Sequence, residues 1–375
     1  IPKEECLLYV KEEDKQEYIH NCDRWGCLND GYVDILKYSG EYCYMDCITL
    51  RDGYNCFRDL VDEAVGLDIT NYLTLASMAH DYNVRQGCYE GVLQMSGIPR
   101  AFIQRCIVGG RTMCSENKAH HITDKELADF DAVSLYPTAM ARMKGFLKGK
   151  PKIIKTFQPN EYDGYFICIK ITKVGKERHF PLMSYKTDKG IRQFSNDMVG
   201  EIVYIDKVSL EDVIQFQEIE YEFINGYYYD EGHNDNINDT MKYLFTQRLK
   251  YKKEGNALQL VFKELMNSGY GKSYMKPIDS ENKYVPVDEM DLFINRNYNF
   301  IKEATLLANG KCYKVNITQQ VDIHFNNAHV GVEILSMSKR IMNEVMCLAE
   351  DLGFYIYYQD TDSMHIDNHQ IDDLA

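Results

Sequence analysis

Residues 355–366 read Tyr-Ile-Tyr-Tyr-Gln-Asp-Thr-Asp-Ser-Met-His-Ile. β-branched and aromatic residues flank a short acidic core, so the segment predicts a strand, a tight turn and a second strand, with Asp360 and Asp362 at the tip. Two acids two residues apart on a strand point the same way, and with a third acid nearby they repel unless divalent cations lie between them. Asp is also a favoured turn residue, so an isolated Asp-x-Asp reads first as an ordinary hairpin turn. The rest of the chain has to decide between the two.

A length of 375 residues with 45% hydrophobic and 12% aromatic residues suits two or three domains with real cores. No run approaches eighteen apolar residues, and the chain starts at Ile1 without a basic-then-apolar leader. The expectation is a soluble intracellular protein with no membrane partner, and a fragment of a longer chain. Twelve cysteines show no Cys-x-x-Cys pairing; Cys22/Cys27 and Cys43/Cys47 approach most closely and lack histidines at zinc-finger spacing, so free thiols in a reducing compartment are expected. A net charge of −15 argues against a nucleic-acid surface as a sum. Its distribution argues otherwise. Lys242, Arg248, Lys250, Lys252, Lys253, Lys263, Lys272 and Lys276 face only Glu254 and Glu264, and Arg142, Lys144, Lys148, Lys150, Lys152 and Lys155 run without an acid. Solvated helix faces are the plain reading of both runs.

From about residue 40 to 82 the apolar spacing is helical, and Tyr42-x-x-x-Asp46 puts a hydroxyl and a carboxylate on one helix face, where both could reach a metal-bound water. A solvent-facing Asp near a helix start is the alternative. Ser96-Gly97-Ile98-Pro99 breaks that pattern and predicts a domain boundary. Gly109-Gly110, between Arg105 and Arg111, is a flexible spot where main-chain amides could meet a phosphate, or a plain turn. Asp129-Phe130-Asp131 predicts a strand ending at Asp131 and facing a cleft, followed by a turn and a helix with Pro137 at its first position. Residues 150–229 alternate in short segments and predict a β-rich block. Residues 239–271 predict two helices broken at Glu254-Gly255-Asn256, with Lys263, Asn267 and Tyr270 on one face, a set that suits a nucleotide. Residues 273–325 predict strands and turns, and 332–351 an amphipathic helix carrying Lys339 and Arg340.

Taken in order, Asp131-x-x-Ser134-Leu135-Tyr136-Pro137, Lys263-x-x-x-Asn267-Ser268-x-Tyr270-Gly271 and Tyr358-x-Asp360-Thr361-Asp362-Ser363 resemble the three polymerase motifs of family B DNA polymerases. Gln359 stands where Gly is commoner. The 231 positions from Asp131 to Asp362, and the 132 from Asp131 to Lys263, leave room for two blocks similar to the terminal-protein-region insertions of the protein-primed branch. Gly109-Gly110 is similar to that branch's Tyr-x-Gly-Gly element, with Ile107 in place of its Tyr, and Tyr42-x-x-x-Asp46 resembles the third proofreading-exonuclease motif.

The resemblance implies an α+β, right-hand DNA polymerase fold of palm and fingers with two insertions, preceded by the C-terminal part of a ribonuclease H-like 3′-5′ exonuclease domain. It divides the chain into 1–98 (exonuclease part), 99–150 (palm), 151–234 (first insertion), 235–273 (fingers), 274–330 (second insertion) and 331–375 (palm), the thumb and the earlier exonuclease motifs lying outside. It implies template-directed DNA synthesis by a DNA-directed DNA polymerase, with protein-primed replication of a viral or mobile-element genome. The alternative is a non-catalytic, nucleic-acid-binding remnant of a decayed polymerase. By the same resemblance Asp131, Asp360 and Asp362 are catalytic, and Asp131, Asp362 and the Ala132 carbonyl hold two Mg²⁺ ions, with Mn²⁺ as substitute. Ala132, Ser134, Leu135, Tyr136, Arg248, Lys250, Lys263, Asn267 and Tyr270 bind the nucleotide, Tyr136 excluding a ribose 2′-hydroxyl. Gly109, Gly110, Lys272 and Ser363 touch DNA, and Tyr42 and Asp46 are the exonuclease remnant. The implied partners are primer and template DNA, deoxynucleoside triphosphates and a terminal priming protein.

Overall fold

A computed structural model describes residues 1–275, 280–319 and 325–374 and divides the chain into two compact units, Ile1–Tyr72 and Leu73–Ala375. Lys276 of the basic run lies outside the described residues. In the first unit the main element is helix α1, Ile35–Val65, capped by the Asp34 side chain, which accepts from the Lys37 amide. Gly66 ends it in the left-handed region at φ 66°, so the helical stretch expected to reach residue 82 is interrupted there. Asp46 consequently lies in mid-helix, exposed, and Tyr42 is exposed as well.

The second unit begins with helix α2, Leu75–Arg85, and helix α3, Gly97–Gln104. The expected break at 96–99 therefore opens a helix inside this unit; Pro99 sits in the first turn, where a missing N–H leaves no intrahelical bond unmade. Strands β1 (Thr112–Cys114) and β2 (Leu127–Asp131) follow, then helix α4, Leu135–Arg142, with Pro137 at its third position rather than its first.

Strands β3 (Lys152–Ile153), β4 (Gly164–Val174), β5 (Ile202–Asp206) and β6 (Ile219–Tyr229) form an antiparallel sheet in the order β5-β4-β6-β3. The block also holds a helix that the alternation hid, α5 (Lys207–Gln217), started by the Asp206 carboxylate accepting from the Val208 amide. β4 is buried on both faces: Ile167, Ile169 and Ile171 pack with Leu210 and Val213, while Phe166 packs with Tyr229, Ala328 and Val332.

Helices α6 (Asn236–Lys253) and α7 (Leu258–Ser268) form a hairpin in which the Tyr251 and Phe262 rings stack at 5.6 Å. The Asn238 amide donates to the carbonyls of Met140 (3.0 Å), Ala141 (3.2 Å) and Met143 (2.7 Å), fixing the foot of α6 on the orphan carbonyls at the end of α4. Strands β7 (Ser280–Pro286), β8 (Ile301–Leu306) and β9 (Cys312–Thr318) form a second small sheet, with an unexpected helix, α8 (Met290–Asn297), between the first two.

Helix α9, Ala328–Asp351, starts four residues earlier than its amphipathic pattern suggested, because every residue from Ala328 to Ser338 is buried and no polar face marks the start. It leads into strands β10 (Ile356–Asp360) and β11 (Ser363–Asp367). All twelve cysteines are free, and among the described residues no helix is long and apolar enough to cross a membrane.

The buried start of α9 includes Glu333, whose carboxyl is pushed well above its usual range by burial, with the nearby Asp206 carboxylate adding to it. The folded chain thus holds a proton that the unfolded chain releases, and this residue's contribution to stability declines as pH climbs above the ordinary glutamate range. Glu333→Gln should leave the thermal midpoint almost unchanged at about pH 4 and raise it at about pH 8. A lowered midpoint at the higher pH would mean that Glu333 is ionised in the fold.

Candidate active site at the acidic hairpin

The four strands β1, β10, β11 and β2 lie side by side in that order, all antiparallel. The register sets Thr112 opposite Asp360, Asp360 opposite Ser363 and Ser363 opposite Asp131. The next row on the same face is Cys114, Tyr358, His365 and Asp129. Since side chains alternate along a strand, the rows between point to the other face: Met113, Gln359, Met364 and Phe130, all packed inward. One face of the sheet is core, and its last exposed row carries two acids.

Asp362 is not a strand residue. Thr361 and Asp362 form the two-residue turn, Thr361 in the left-handed region at φ 50°, so period-two alternation does not bring Asp362 beside Asp360 as the sequence suggested. Asp362 is instead tied to Asp131's end of the sheet, because the Ala132 amide donates to the Asp362 carbonyl at 2.7 Å. The electrostatics agree: the Asp131 carboxyl is raised above its usual range by partial desolvation, then by the charges of Asp362 and Asp129. Asp360 is held differently. Its carboxylate accepts from the Thr112 hydroxyl at 2.9 Å and, more loosely, from Thr361 and Tyr358.

The residues between β2 and α4 face the helical hairpin. Ser134 adopts the left-handed region at φ 49°, and its hydroxyl accepts from Arg248 Nη1 at 2.8 Å. Arg248 Nε is buried and has no partner among the described residues. The Tyr136 and Tyr270 rings stack at 4.2 Å with planes 18° apart, joining two motifs 134 positions apart in sequence. Tyr270 opens the short helical turn Tyr270–Tyr274 just beyond α7, not α7 itself; Lys263 and Asn267 lie on α7, half-buried like Tyr270. Leu135 is buried and serves the core.

Other expected residues make different contacts. Lys250 is exposed, its ammonium 5.1 Å from the centre of the neighbouring Tyr251 ring. Lys272 donates to the Ser77 hydroxyl at 3.3 Å. Arg142 and Lys152 of the second basic run are committed to Glu344 and Asp230, each at 2.6 Å. Tyr42 and Asp46 belong to the other unit. Gly109 stands in open space, whereas a Cβ on Gly110 would come within 2.5 Å of the Thr361 side chain, so Gly110 is required by close packing against the turn. Arg111, read as flanking a phosphate spot, is buried beneath the hairpin.

Among the described residues no group of three His, Cys, Asp or Glu side chains is gathered for a metal ion. A carboxylate whose proton affinity is raised partly by the charge of a second one, beside a main-chain carbonyl, nevertheless fits a hard divalent cation that keeps much of its water.

The family described as DNA polymerase type B, organellar and viral, matches residues 1–346. A "Probable DNA polymerase" of Ascobolus immersus is 23% identical over 375 residues, covering 96% of this chain and 30% of that protein, so the chain spans under a third of that relative. Among solved structures, Phi29 DNA polymerase complexed with primer-template DNA aligns with TM-score 0.55 at 18% identity, over 78% of this chain and 47% of that one. The same polymerase complexed with primer-template DNA and incoming nucleotide substrates aligns with TM-score 0.54 at 18% identity, over 78% and 48%.

The contrast between the two adjacent glycines can be tested. Gly110→Ala should cost about 1–3 kcal/mol of stability through overpacking against Thr361, and Gly109→Ala should be close to neutral. Denaturant midpoints of the two variants decide it; equal midpoints would show that the turn yields freely to an added methyl.

Proposed function

The chain belongs to the organellar and viral type B DNA polymerases and shares their right-hand α+β fold, and from that membership we propose that the protein adds deoxynucleotides to a primer 3′-hydroxyl under the direction of a DNA template. The observation that supports this best is the convergence of Asp131 and Asp362, 231 positions apart, at one end of a four-stranded sheet, with Tyr136 of the helix that follows Asp131 stacked on Tyr270. In this reading the palm is 99–150 and 331–375, the fingers are 235–273, and 151–234 and 274–330 are the insertions. Residues 1–98, with Tyr42 and Asp46, are part of an exonuclease domain.

Asp131, Asp362 and the Ala132 carbonyl would hold two Mg²⁺ ions, with Mn²⁺ as substitute. When bound, such ions neutralise charge on the attacking and leaving oxygens of an in-line displacement. The chain's own part is positioning. Asp131 and Asp362 converge on one spot; Asp360, held by Thr112, supplies a further negative charge one strand beyond Ser363 in the same row. Arg248, anchored on Ser134 and with Nε unpaired, and Lys263, for which no ion pair is seen among the described residues, offer positive charge to the triphosphate, with Lys250 at the rim. Asn267 extends the same helix face. The Tyr136–Tyr270 pair gives a flat wall for sugar and base, on which a ribose 2′-hydroxyl would collide with Tyr136. Gly109, Gly110, Lys272 and Ser363 border the path we assign to DNA, and a terminal priming protein is the partner we assign to the insertions. Nothing observed favours a decayed, non-catalytic remnant.

Primer extension by the full-length parent is the test. Asp131→Asn and Asp362→Asn should each reduce nucleotide addition about 10³-fold or more with the fold retained, by the scale typical of lost transition-state electrostatics. Either variant extending primers at near-normal rate would remove the metal assignment. Tyr136→Ala should lower the ratio of kcat/KM for deoxynucleotide over ribonucleotide; a constant ratio would rule out the steric role.

A further inference from the structure

Beneath the hairpin lies a guanidinium that makes no ion pair among the described residues, Glu350 acting on it only as a nearby charge. Arg111 is 4% exposed, and all five of its N–H groups find acceptors. Nε donates to Gln359 Oε1; Nη1 donates to the carbonyls of Phe180 (3.1 Å) and Pro181 (2.9 Å); Nη2 donates to Asn343 Oδ1 (3.2 Å) and Met346 Sδ (3.5 Å). None of these acceptors is a carboxylate. Burial lowers this guanidinium to about 10, so it remains charged at neutral pH.

The same residue grips the acidic turn twice. Its main-chain carbonyl accepts from the Thr361 amide at 2.9 Å, and its side chain holds Gln359 from the buried face. Gln359 and Thr361 are the two neighbours of Asp360, and Thr361 also precedes Asp362. Behind Arg111 the attachment runs on into the helices: Asn343 on α9 donates to Asp212 Oδ2 on α5 at 3.1 Å, and Asp212 Oδ1 accepts from Arg340 Nε at 2.6 Å. The hairpin tip is therefore fastened to α9 and α5 through side chains, besides its sheet pairing. This also explains the glutamine that departs from the commoner motif. A glycine at 359 would leave a buried charged donor unpaired, and a glutamate would place another negative charge under Asp360 and Asp362.

We propose that Arg111, acting through Gln359, is the positioning residue of the acidic hairpin. The pair fixes where Asp360 and Asp362 stand relative to Asp131, and so governs the rate of nucleotide addition and the demand for divalent metal, not the affinity for nucleotide. The proposal rests on the polymerase reading of the same site.

The experiment compares Gln359→Met, Arg111→Lys, Arg111→Met and the Arg111→Met/Gln359→Met double variant in the full-length parent, on protein shown by circular dichroism to be folded. Gln359→Met nearly keeps volume and removes the side-chain amide, and with it the acceptor for Arg111 Nε, and carries the test should Arg111→Met fail to fold. It should lower kcat about 10- to 100-fold, the scale of a small misplacement of catalytic groups, and raise the half-saturating Mg²⁺ concentration, with KM for deoxynucleotide within about twofold. Arg111→Lys, with fewer donors, should fall between wild type and Gln359→Met. Because the two residues act as one unit, the double variant should be no slower than the slower single. Unchanged kcat in folded Gln359→Met, a rise in KM matching the fall in kcat, or losses that multiply in the double variant would each overturn the proposal. Asp131→Asn separates the two readings. If that variant is inactive while Gln359→Met is normal, only the positioning role fails; if Asp131→Asn extends primers normally, the metal assignment fails and the positioning role with it; and if the unaltered parent extends no primer, the polymerase reading fails first.

Discussion

Five residues of β2 paired with five of β11 hold the rest in place. The ladder runs from Leu127 opposite Asp367 to Asp131 opposite Ser363, and its two faces are chemically opposite: Phe130 and Met364 enter the core while Asp129, Asp131 and Ser363 stay outside. A slip of one residue would send Asp131 inward and expose Met364, at the cost of burying carboxylates and wetting apolar surface together. Register is therefore fixed by the same burial that builds the core, and the meeting of acids 231 positions apart follows from it. The bond from the Ala132 amide to the Asp362 carbonyl then closes the end of the ladder where the turn begins.

Much of this was legible in the order of residues because the signals were local. Dense β-branched and aromatic residues around Asp-Thr-Asp gave strand, turn and strand, and a strand ending at Asp131 before a proline-bearing helix formed as expected. The break at Gly255 likewise separated two helices. What stayed hidden depended on partners distant in sequence. α9 lacks a polar stripe at its start because it is enclosed on all sides, so a search for amphipathic spacing began four residues late. α5 sits among strand-like residues and is set off by a single Asp cap.

The site shows the same division. Asp131 meets Asp362 and Tyr136 meets Tyr270, pairs that the order of the motifs suggests, and Ser134 meets Arg248, which lies outside the motifs. The environment of each does not follow from motif order. Arg111 next to two glycines suggests a phosphate, and only the fold reveals a buried guanidinium with five neutral acceptors drawn from three separate parts of the chain. Gly110 likewise suggests flexibility and instead answers to a contact with Thr361. Lys250 belongs to the right helix but lies exposed beside its own neighbour's ring, a matter of helix phase that a charge run cannot convey.

The two blocks between the motifs differ in how they are built in. Residues 280–318 have a core of their own, Val285, Met290, Val315 and Ile317, closed by partly buried neighbours from the same block. The block at 151–234 has no such independence. Phe166 and Tyr229 pack in one cluster with Ile103, Leu147 and Val332, and Asp212 and Asp206 bond to Arg340, Asn343 and Ser336 on α9. Since α9 is also the helix to which Arg111 fastens the acidic turn, the first block reaches the hairpin through a continuous buried polar path, whereas the self-contained second block can change without opening the core that carries the acids.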